Sequence, residues 1–292
     1  MRAARILGLV GLLAVAACGS GGDEHAGHTE APAAFAYPDV EALPPGADRA
    51  QAAIDRSPRH GEWVDVANPG GAPIRTWVVY PERSDTAPVV LVIHTIAGLA
   101  PWARALADQL AEDGYIAVAP DFLSGRGPGG GGSDAFASPD EARAAMSGVT
   151  ATDAATVLDR VRDYALTIPA ANGKVATMGF CWGGSRSFEY ALHQPALDAA
   201  VVFYGSAPEV SDAYASIGAP ILGLYGGDDA RVNATIEPAA AELRRRGKAF
   251  EHEIYEGAGH GFVGNQSDRD GANFKATERA WPRALAFLKR HL

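Results

Sequence analysis

The sequence has few cysteines and no cluster of basic residues. Its formal net charge is −10, and the 25 Lys and Arg residues are scattered instead of forming a block. Because nucleic-acid binding needs a basic surface to neutralise phosphates, we do not expect a nucleic-acid partner. Only two cysteines occur, Cys18 and Cys181. Each therefore needs its own explanation.

Patterns that would bind a metal ion or a nucleotide are also missing. Asp23, Glu24, His25 and His28 lie close together, but their spacing fits neither one helix face nor a defined turn. The glycine-rich stretch 124–132 lacks the Lys and Ser/Thr of a phosphate-binding loop and is predicted to be a loop near the strand ends. We therefore expect neither a metal nor an organic cofactor.

The apolar run at the N-terminus is too short to span a bilayer. It covers residues 6–17, whereas a transmembrane helix needs about 20 apolar residues. Two arginines precede it, as in a secretory signal peptide, and Val15-Ala16-Ala17-Cys18 resembles the lipobox of bacterial lipoproteins. We predict a lipoprotein-type signal peptide over 1–17, lipid attachment at Cys18, and export to a membrane-anchored position in a bacterial cell envelope. The alternative is an ordinary signal peptide followed by a chance cysteine.

Composition divides the remaining chain into two parts. Residues 18–49 are rich in Gly, Ala and Pro without apolar periodicity, which predicts a flexible tether. Residues 50–292 show no internal repeat and predict one large domain. If Cys18 carries lipid, Cys181 has no partner for a disulfide, so its thiol is either reactive or simply buried.

Five continuous apolar segments predict strands that are buried on both faces of a sheet. Helical stripes alternate with these segments, as in Trp102, Leu106 and Leu110. Residues 61–66 and 74–80 flank a Pro-Gly-Gly turn and predict an antiparallel hairpin at the sheet edge. We expect an α/β fold with a mostly parallel central sheet and helices on both faces. The five segments are residues 89–93, 115–119, 175–180, 200–204 and 221–225.

A short segment between a predicted strand and a predicted helix carries the strongest functional signal. It reads Gly179-Phe180-Cys181-Trp182-Gly183-Gly184 and matches the nucleophile elbow G-x-S-x-G, with Cys181 in the serine position. The unpaired N–H groups and the dipole of the following helix favour the thiolate of such a cysteine. The alternative is a buried cysteine that fills a gap between strand and helix.

A thiolate nucleophile needs a base, and the base needs an acid that fixes its tautomer. In folds that carry this elbow, nucleophile, acid and histidine follow in that order. Two later loops that follow strands contain the required residues, Asp228 or Asp229 in one and His260 in the other. Chemistry alone does not distinguish the two neighbouring aspartates, each of which could cap the next helix.

Acyl transfer also needs two N–H donors for the oxyanion. The elbow supplies one from the residue after the nucleophile, Trp182. The loop after the strand 89–93 reads His94-Thr95-Ile96-Ala97-Gly98-Leu99 and should supply the other, from Ile96 or a neighbour.

The elbow, Gly226-Gly227-Asp228-Asp229, Ala258-Gly259-His260-Gly261-Phe262 and Ala119-Pro120-Asp121-Phe122 together resemble the dienelactone hydrolase family of α/β-hydrolases. The resemblance covers most of residues 74–292. It implies the α/β-hydrolase fold and hydrolysis of a small-molecule ester or lactone without a cofactor. It also implies that Cys181 is the nucleophile, His260 the base and Asp229 the acid, with Asp228 as the alternative acid.

The sequence departs from this family at two positions. Family members often carry a glutamate beside the first oxyanion donor, where this chain has Thr95. Dienelactone enzymes also place an arginine four residues after the histidine, where this chain has Gly264. The arginines that could substitute, each of which is more simply a surface residue, are Arg126, Arg143 and Arg231.

These departures keep two other functions open. One is a surface-binding lipoprotein that has kept the fold and lost the chemistry. The other is a thiol-dependent peptidase or acyltransferase that uses the same three residues. The sequence predicts no particular oligomeric state.

Overall fold

The computed structural model describes residues 35–292, and within that range the chain forms one sheet of eight strands. The order across the sheet is β1-β2-β4-β3-β5-β6-β7-β8. The strands are β1 (Gly61–Val66), β2 (Ile74–Val79), β3 (Ala87–Ile93), β4 (Ile116–Pro120), β5 (Ala171–Phe180), β6 (Ala199–Phe203), β7 (Ile221–Gly226) and β8 (Phe250–Tyr255).

The sheet is parallel from β4 to β8 and antiparallel at the β1 edge. β1 pairs with β2, and β2 with β4, in antiparallel register, whereas all other neighbours run parallel. Every residue of β4, β6 and β7 is buried, as expected for apolar strands covered on both faces. The predicted parallel sheet and N-terminal edge hairpin are therefore confirmed.

Helices cover both faces of this sheet, and each face has its own apolar core. Leu158 belongs to the core on one face, whereas Leu106 and Trp281 belong to the core on the other. The described helices are α1 (Ala50–Arg56), α2 (Pro101–Glu112), α3 (Pro139–Ser147), α4 (Ala151–Ala165), α5 (Trp182–His193), α6 (Ala230–Asn233), α7 (Ile236–Arg245) and α8 (Ala272–His291).

Parallel pairing brings the carboxyl ends of β3, β5, β7 and β8 to the same edge of the sheet. The loops and the turn that leave these strands therefore meet there, which is where open α/β sheets place their ligands. Nowhere in residues 35–292 is a helix both long enough and apolar enough to cross a bilayer.

The chain packs onto the domain before the predicted boundary. Residues 1–34, which include the predicted signal peptide, Cys18 and the first half of the predicted tether, lie outside the described residues. Residues 35–49, the second half of the predicted tether, pack against the domain. Tyr37 is buried against α8, and the Ala47 N–H donates to the Gly264 carbonyl over 2.8 Å. The chain therefore packs against the domain from Tyr37 onward, because this aromatic side chain, in a Pro- and Ala-rich stretch, packs on the apolar side chain of Phe274 in α8.

Candidate active site

Cys181 lies at the tight turn between β5 and α5. Its backbone has φ 58° and ψ −115°, a strained conformation for a residue with a Cβ. The turn is possible because a Cβ at Gly179 would overlap the Gly183 carbonyl, and one at Gly183 would overlap the Ile93 carbonyl. The sharp turn holds the Cys181 thiol, which is partly exposed, at the carboxyl edge of the sheet.

Hydrogen bonds join Cys181, His260 and Asp229 in one line. The His260 Nε2 atom lies 3.0 Å from the Cys181 Sγ atom. On the other side of the ring, Nδ1 lies 2.5 Å from Oδ2 of Asp229. Asp229 is 7% exposed and follows β7, whereas His260 lies in the loop after β8. The fold therefore brings together three residues that are far apart in the chain.

Cys181 and His260 shift each other toward an ion pair. Burial raises the pKa of the Cys181 thiol, but the hydrogen bond and the charge of His260 outweigh it, so this pKa lies below its ordinary value. The hydrogen bond to Cys181 raises the pKa of His260, with burial opposing the rise and Asp229 adding to it. Both shifts favour a thiolate beside an imidazolium, and a thiolate is the nucleophilic form of cysteine.

The two neighbouring aspartates have different partners. Asp229 accepts from His260, and its other oxygen accepts from the Val232 N–H at the start of α6. Asp228 points outward and pairs with Arg269. Asp229 is thus both the partner of the histidine and a helix cap, two roles that the sequence left open between two residues.

The backbone amides of Ile96 and Trp182 both act on the Cys181 sulfur. Each stabilises the thiolate and lowers its pKa, after the larger effect of His260. Trp182 is the first residue of α5, so its N–H has no partner within the helix. Ile96 belongs to the loop after β3. These are the two amides that the sequence predicts as oxyanion donors.

Two residues beside the site were not predicted as functional. His94 is fully buried at the end of β3, and its ring stacks on the Trp182 indole with centroids 6.1 Å apart. Tyr204 directly follows β6, has φ 42°, and places its buried ring edge-on to the His260 imidazole at 5.3 Å. The sequence signal for His94 is its position two residues before Ile96, whereas nothing local indicated Tyr204.

Thr95 and Gly264, the two positions that depart from the family, contact neighbouring residues of this chain. The Thr95 hydroxyl accepts from the Ala97 N–H over 3.2 Å within the same loop. A Cβ at Gly264 would lie 3.3 Å from the Trp102 ring, and its carbonyl accepts from Ala47 in the N-terminal segment. The position of the family's arginine is therefore covered by packed groups.

The three arginines considered as substitutes are held by neighbouring side chains. Arg126 pairs with Asp153 at 3.2 Å, and Arg143 with Asp140 at 3.0 Å. Arg231 donates to the Ser206 hydroxyl over 3.2 Å. Within residues 35–292, no group of three or more His, Cys, Asp and Glu side chains has an arrangement that could hold a metal ion.

Sequence relatives point to one family. A sequence model of the dienelactone hydrolase family matches residues 74–292. A proposed carboxymethylenebutenolidase of Saccharolobus solfataricus is 31% identical over 250 residues, which covers 75% of this chain and 95% of the relative. A proposed carboxymethylenebutenolidase of Escherichia coli is 31% identical over 222 residues, which covers 72% of this chain and 80% of the relative.

Solved structures point the same way. A proposed dienelactone hydrolase from Klebsiella pneumoniae superposes with a TM-score of 0.67 at 28% identity, covering 78% of this chain and 97% of that one. A dienelactone hydrolase-like promiscuous phosphotriesterase from metagenomic libraries also gives 0.67, at 25% identity, covering 80% and 98%. The α/β-hydrolase fold is thereby confirmed, and the chain belongs to the dienelactone hydrolase family.

Proposed function

We propose that the protein hydrolyses an ester or lactone of a small molecule, with Cys181 as nucleophile, His260 as acid and base, and Asp229 as the group that orients His260. The observation that carries this proposal is the unbroken line of contacts from Sγ through both imidazole nitrogens to the Asp229 carboxylate. It supplies a reactive thiolate and a proton donor at the same place.

The reaction begins with addition of the Cys181 thiolate to the carbonyl carbon. The carbonyl oxygen becomes an oxyanion, which the amides of Ile96 and Trp182 stabilise. When the carbon–oxygen bond to the alcohol breaks, Nε2–H of His260 protonates the leaving oxygen, and a thioester remains. Water then attacks the thioester while His260 takes its proton, and the thiolate leaves with release of the carboxylic acid.

The substrate is proposed only as a class. Relatives named as carboxymethylenebutenolidases support a lactone or ester as the scissile group. A strict dienelactone specificity is not part of the proposal, because Gly264 stands where dienelactone enzymes have a carboxylate-binding arginine.

A comparison of wild type with Cys181→Ala tests the proposal. With a small aryl ester, we expect kcat/KM to fall by at least about 10³-fold in the variant, since the covalent route is lost. Cys181→Ser is a matched variant that keeps the shape and exchanges the thiolate for a weakly acidic hydroxyl, and it should also be strongly impaired. Equal turnover by wild type and Cys181→Ala would refute the proposal.

Two further measurements separate the alternatives. A thiol that iodoacetamide does not alkylate at neutral pH, together with no turnover of any ester, would favour a binding lipoprotein. A panel of matched ester, amide and thioester substrates distinguishes a hydrolase of esters from a peptidase or acyltransferase. We expect the ester to be cleaved fastest.

We also propose that residues 1–17 are removed on export and that Cys18 carries lipid, which anchors the enzyme to a membrane. The short apolar run that ends in Val15-Ala16-Ala17-Cys18 supports this location. Incorporation of a labelled fatty acid in cells should occur in wild type and be absent in Cys18→Ala. Equal labelling of both would contradict the anchor.

A further inference from the structure

His94 makes two hydrogen bonds that fix the loop after β3. Its Nδ1 atom lies 2.8 Å from the carbonyl oxygen of Thr95. Its Nε2 atom accepts from the Phe122 N–H over 3.3 Å, in the loop that follows β4. The ring thereby connects the loop that carries Ile96 to the neighbouring strand end.

These two contacts require one state of the imidazole. A carbonyl oxygen only accepts, so Nδ1 must carry a proton, whereas Nε2 must be bare to accept from Phe122. Only the neutral Nδ1–H tautomer satisfies both. Burial lowers the pKa of His94, and this effect outweighs the nearby negative charge of Asp121, the carboxylate that opposes it.

The bond to Thr95 also helps to determine where the Ile96 N–H points. The Thr95 carbonyl and the Ile96 N–H belong to the same peptide unit, which is planar and trans, so the two groups point in opposite directions. Two donors hold this carbonyl, the His94 Nδ1–H group and the Gly98 N–H, which donates over 3.2 Å. The Ile96 N–H therefore faces the other way, toward Cys181. A rotation of this peptide would turn the carbonyl oxygen into the site and remove one of the two oxyanion donors.

We propose that His94 is a positioning residue of the oxyanion hole, which acts as a neutral Nδ1–H donor that locks the Thr95–Ile96 peptide with its N–H toward the reacting oxygen. This inference rests on the proposed function for its catalytic consequence. His94 touches neither substrate nor the reacting sulfur in this role.

The surroundings of His94 support such a fixed orientation. Its ring stacks on the indole of Trp182, the residue that supplies the other donor, at an interplanar angle of 20°. The Phe122 ring packs edge-on against both aromatic groups, with centroids 5.2 Å from each. Close packing on two sides leaves the imidazole no room to rotate, so both donors are held through one cluster of rings.

Two substitutions each remove one of the two hydrogen bonds that His94 makes and keep the other. In His94→Asn the side-chain amide nitrogen takes about the place of Nδ1 and can still donate to Thr95, but the acceptor for Phe122 is lost. In His94→Gln the amide oxygen can replace Nε2 as the acceptor, but the donor to Thr95 is lost. His94→Asn leaves the Phe122 N–H without its acceptor, and His94→Gln leaves the Thr95 carbonyl with the Gly98 N–H as its remaining donor. Each variant thus loses one buried hydrogen bond, so both should lose thermal stability.

Only His94→Gln should damage catalysis. We expect its kcat for an aryl ester to fall by about 10²-fold with little change in KM, the effect of losing one oxyanion donor, whereas His94→Asn stays within about fivefold of wild type. The same substitutions at the surface residue His193 serve as controls. Equal kcat in His94→Asn and His94→Gln, or a loss confined to KM, would overturn the proposal.

A second readout does not depend on turnover. The Ile96 amide also stabilises the thiolate, so the Cys181 pKa, measured from the pH dependence of alkylation, should rise in His94→Gln and stay near wild type in His94→Asn. An unchanged thiol pKa in both variants refutes the positioning role. If wild type alkylates normally but has no esterase activity, the proposed function fails and this readout still tests the position of the amide.

If neither variant folds, nitrogen-15 NMR of the wild-type protein still tests the proposed tautomer of His94. The His94 ring should show the neutral Nδ1–H tautomer throughout pH 5 to 8. An Nε2–H tautomer, or titration of the ring in that range, would refute the proposal.

Discussion

Two regions of the site follow the family pattern to different degrees. Around Cys181, His260 and Asp229, every predicted partner is within contact distance, and two backbone amides face the sulfur. At Thr95 and Gly264, the charged groups of the family are replaced by a hydroxyl and a glycine. We call the first, which holds the proposed catalytic residues, the catalytic region and the second the variable region.

The difference shows which constraint acts on each region. The groups of the catalytic region depend on one another, because the state of each fixes the protonation or orientation of the next. Thr95 and Gly264 are bonded instead to backbone groups of Ala97 and Ala47, and neither contributes to the triad contacts. The contacts among Cys181, His260 and Asp229 are therefore independent of these two departures.

Of the substitutions that compare the two regions, Asp229→Asn in the catalytic region should have the largest effect. The amide cannot hold the imidazolium of His260, so we expect kcat/KM for an aryl ester to fall by at least about 10²-fold. Asp228→Asn is a matched control, because that residue pairs with Arg269 outside the triad, and it should stay within about threefold of wild type. Equal losses in the two variants would mean that the two aspartates do not differ in the way their contacts indicate.

Local sequence patterns predict some parts of this arrangement, whereas contacts between residues that are distant in the chain are not visible in the sequence. Continuous apolar runs were sufficient for the parallel sheet, and the elbow glycines for the turn at Cys181. The choice of Asp229 over Asp228 came from the family resemblance, whereas its burial and its contact with His260 depend on how the loops after β7 and β8 meet.

The sequence alone does not predict contacts that form only in the folded chain. The stretch 35–49 has the composition of a tether, yet Tyr37 packs on α8, which lies more than 200 residues later in the chain. The role of His94 is not visible in the sequence, because its tautomer depends on Phe122, a residue of another loop. Tyr204 adopts a positive φ that no local pattern in Phe203-Tyr204-Gly205 indicates.

The pH dependence of kcat/KM tests whether the catalytic region works as an ion pair. As pH falls through the lowered pKa of Cys181, the thiolate is protonated and the rate drops. As pH rises through the raised pKa of His260, the proton donor for the leaving group is lost and the rate drops again. We expect a bell-shaped profile whose limbs each fall about tenfold per pH unit.

The alkaline limb offers a check on Asp229. Because Asp229 contributes to the raised pKa of His260, the limb should move to lower pH in Asp229→Asn and stay in place in Asp228→Asn. A rate that only rises with pH up to the ordinary pKa of a free thiol would contradict the ion pair and indicate a neutral thiol at rest.

The smallest effect is expected in the variable region, from Thr95→Glu. A carboxylate beside the sulfur disfavours the thiolate and raises its pKa, so alkylation of Cys181 at neutral pH should slow by about two- to tenfold. Thr95→Gln has nearly the same size without the charge and loses the same hydrogen bond to Ala97, so it should remain within about twofold of wild type. A difference between the two variants at low salt that shrinks at high salt would identify charge as the cause. Equal rates would show that position 95 does not control the thiol, and that the variable region differs from the family without consequence for the catalytic one.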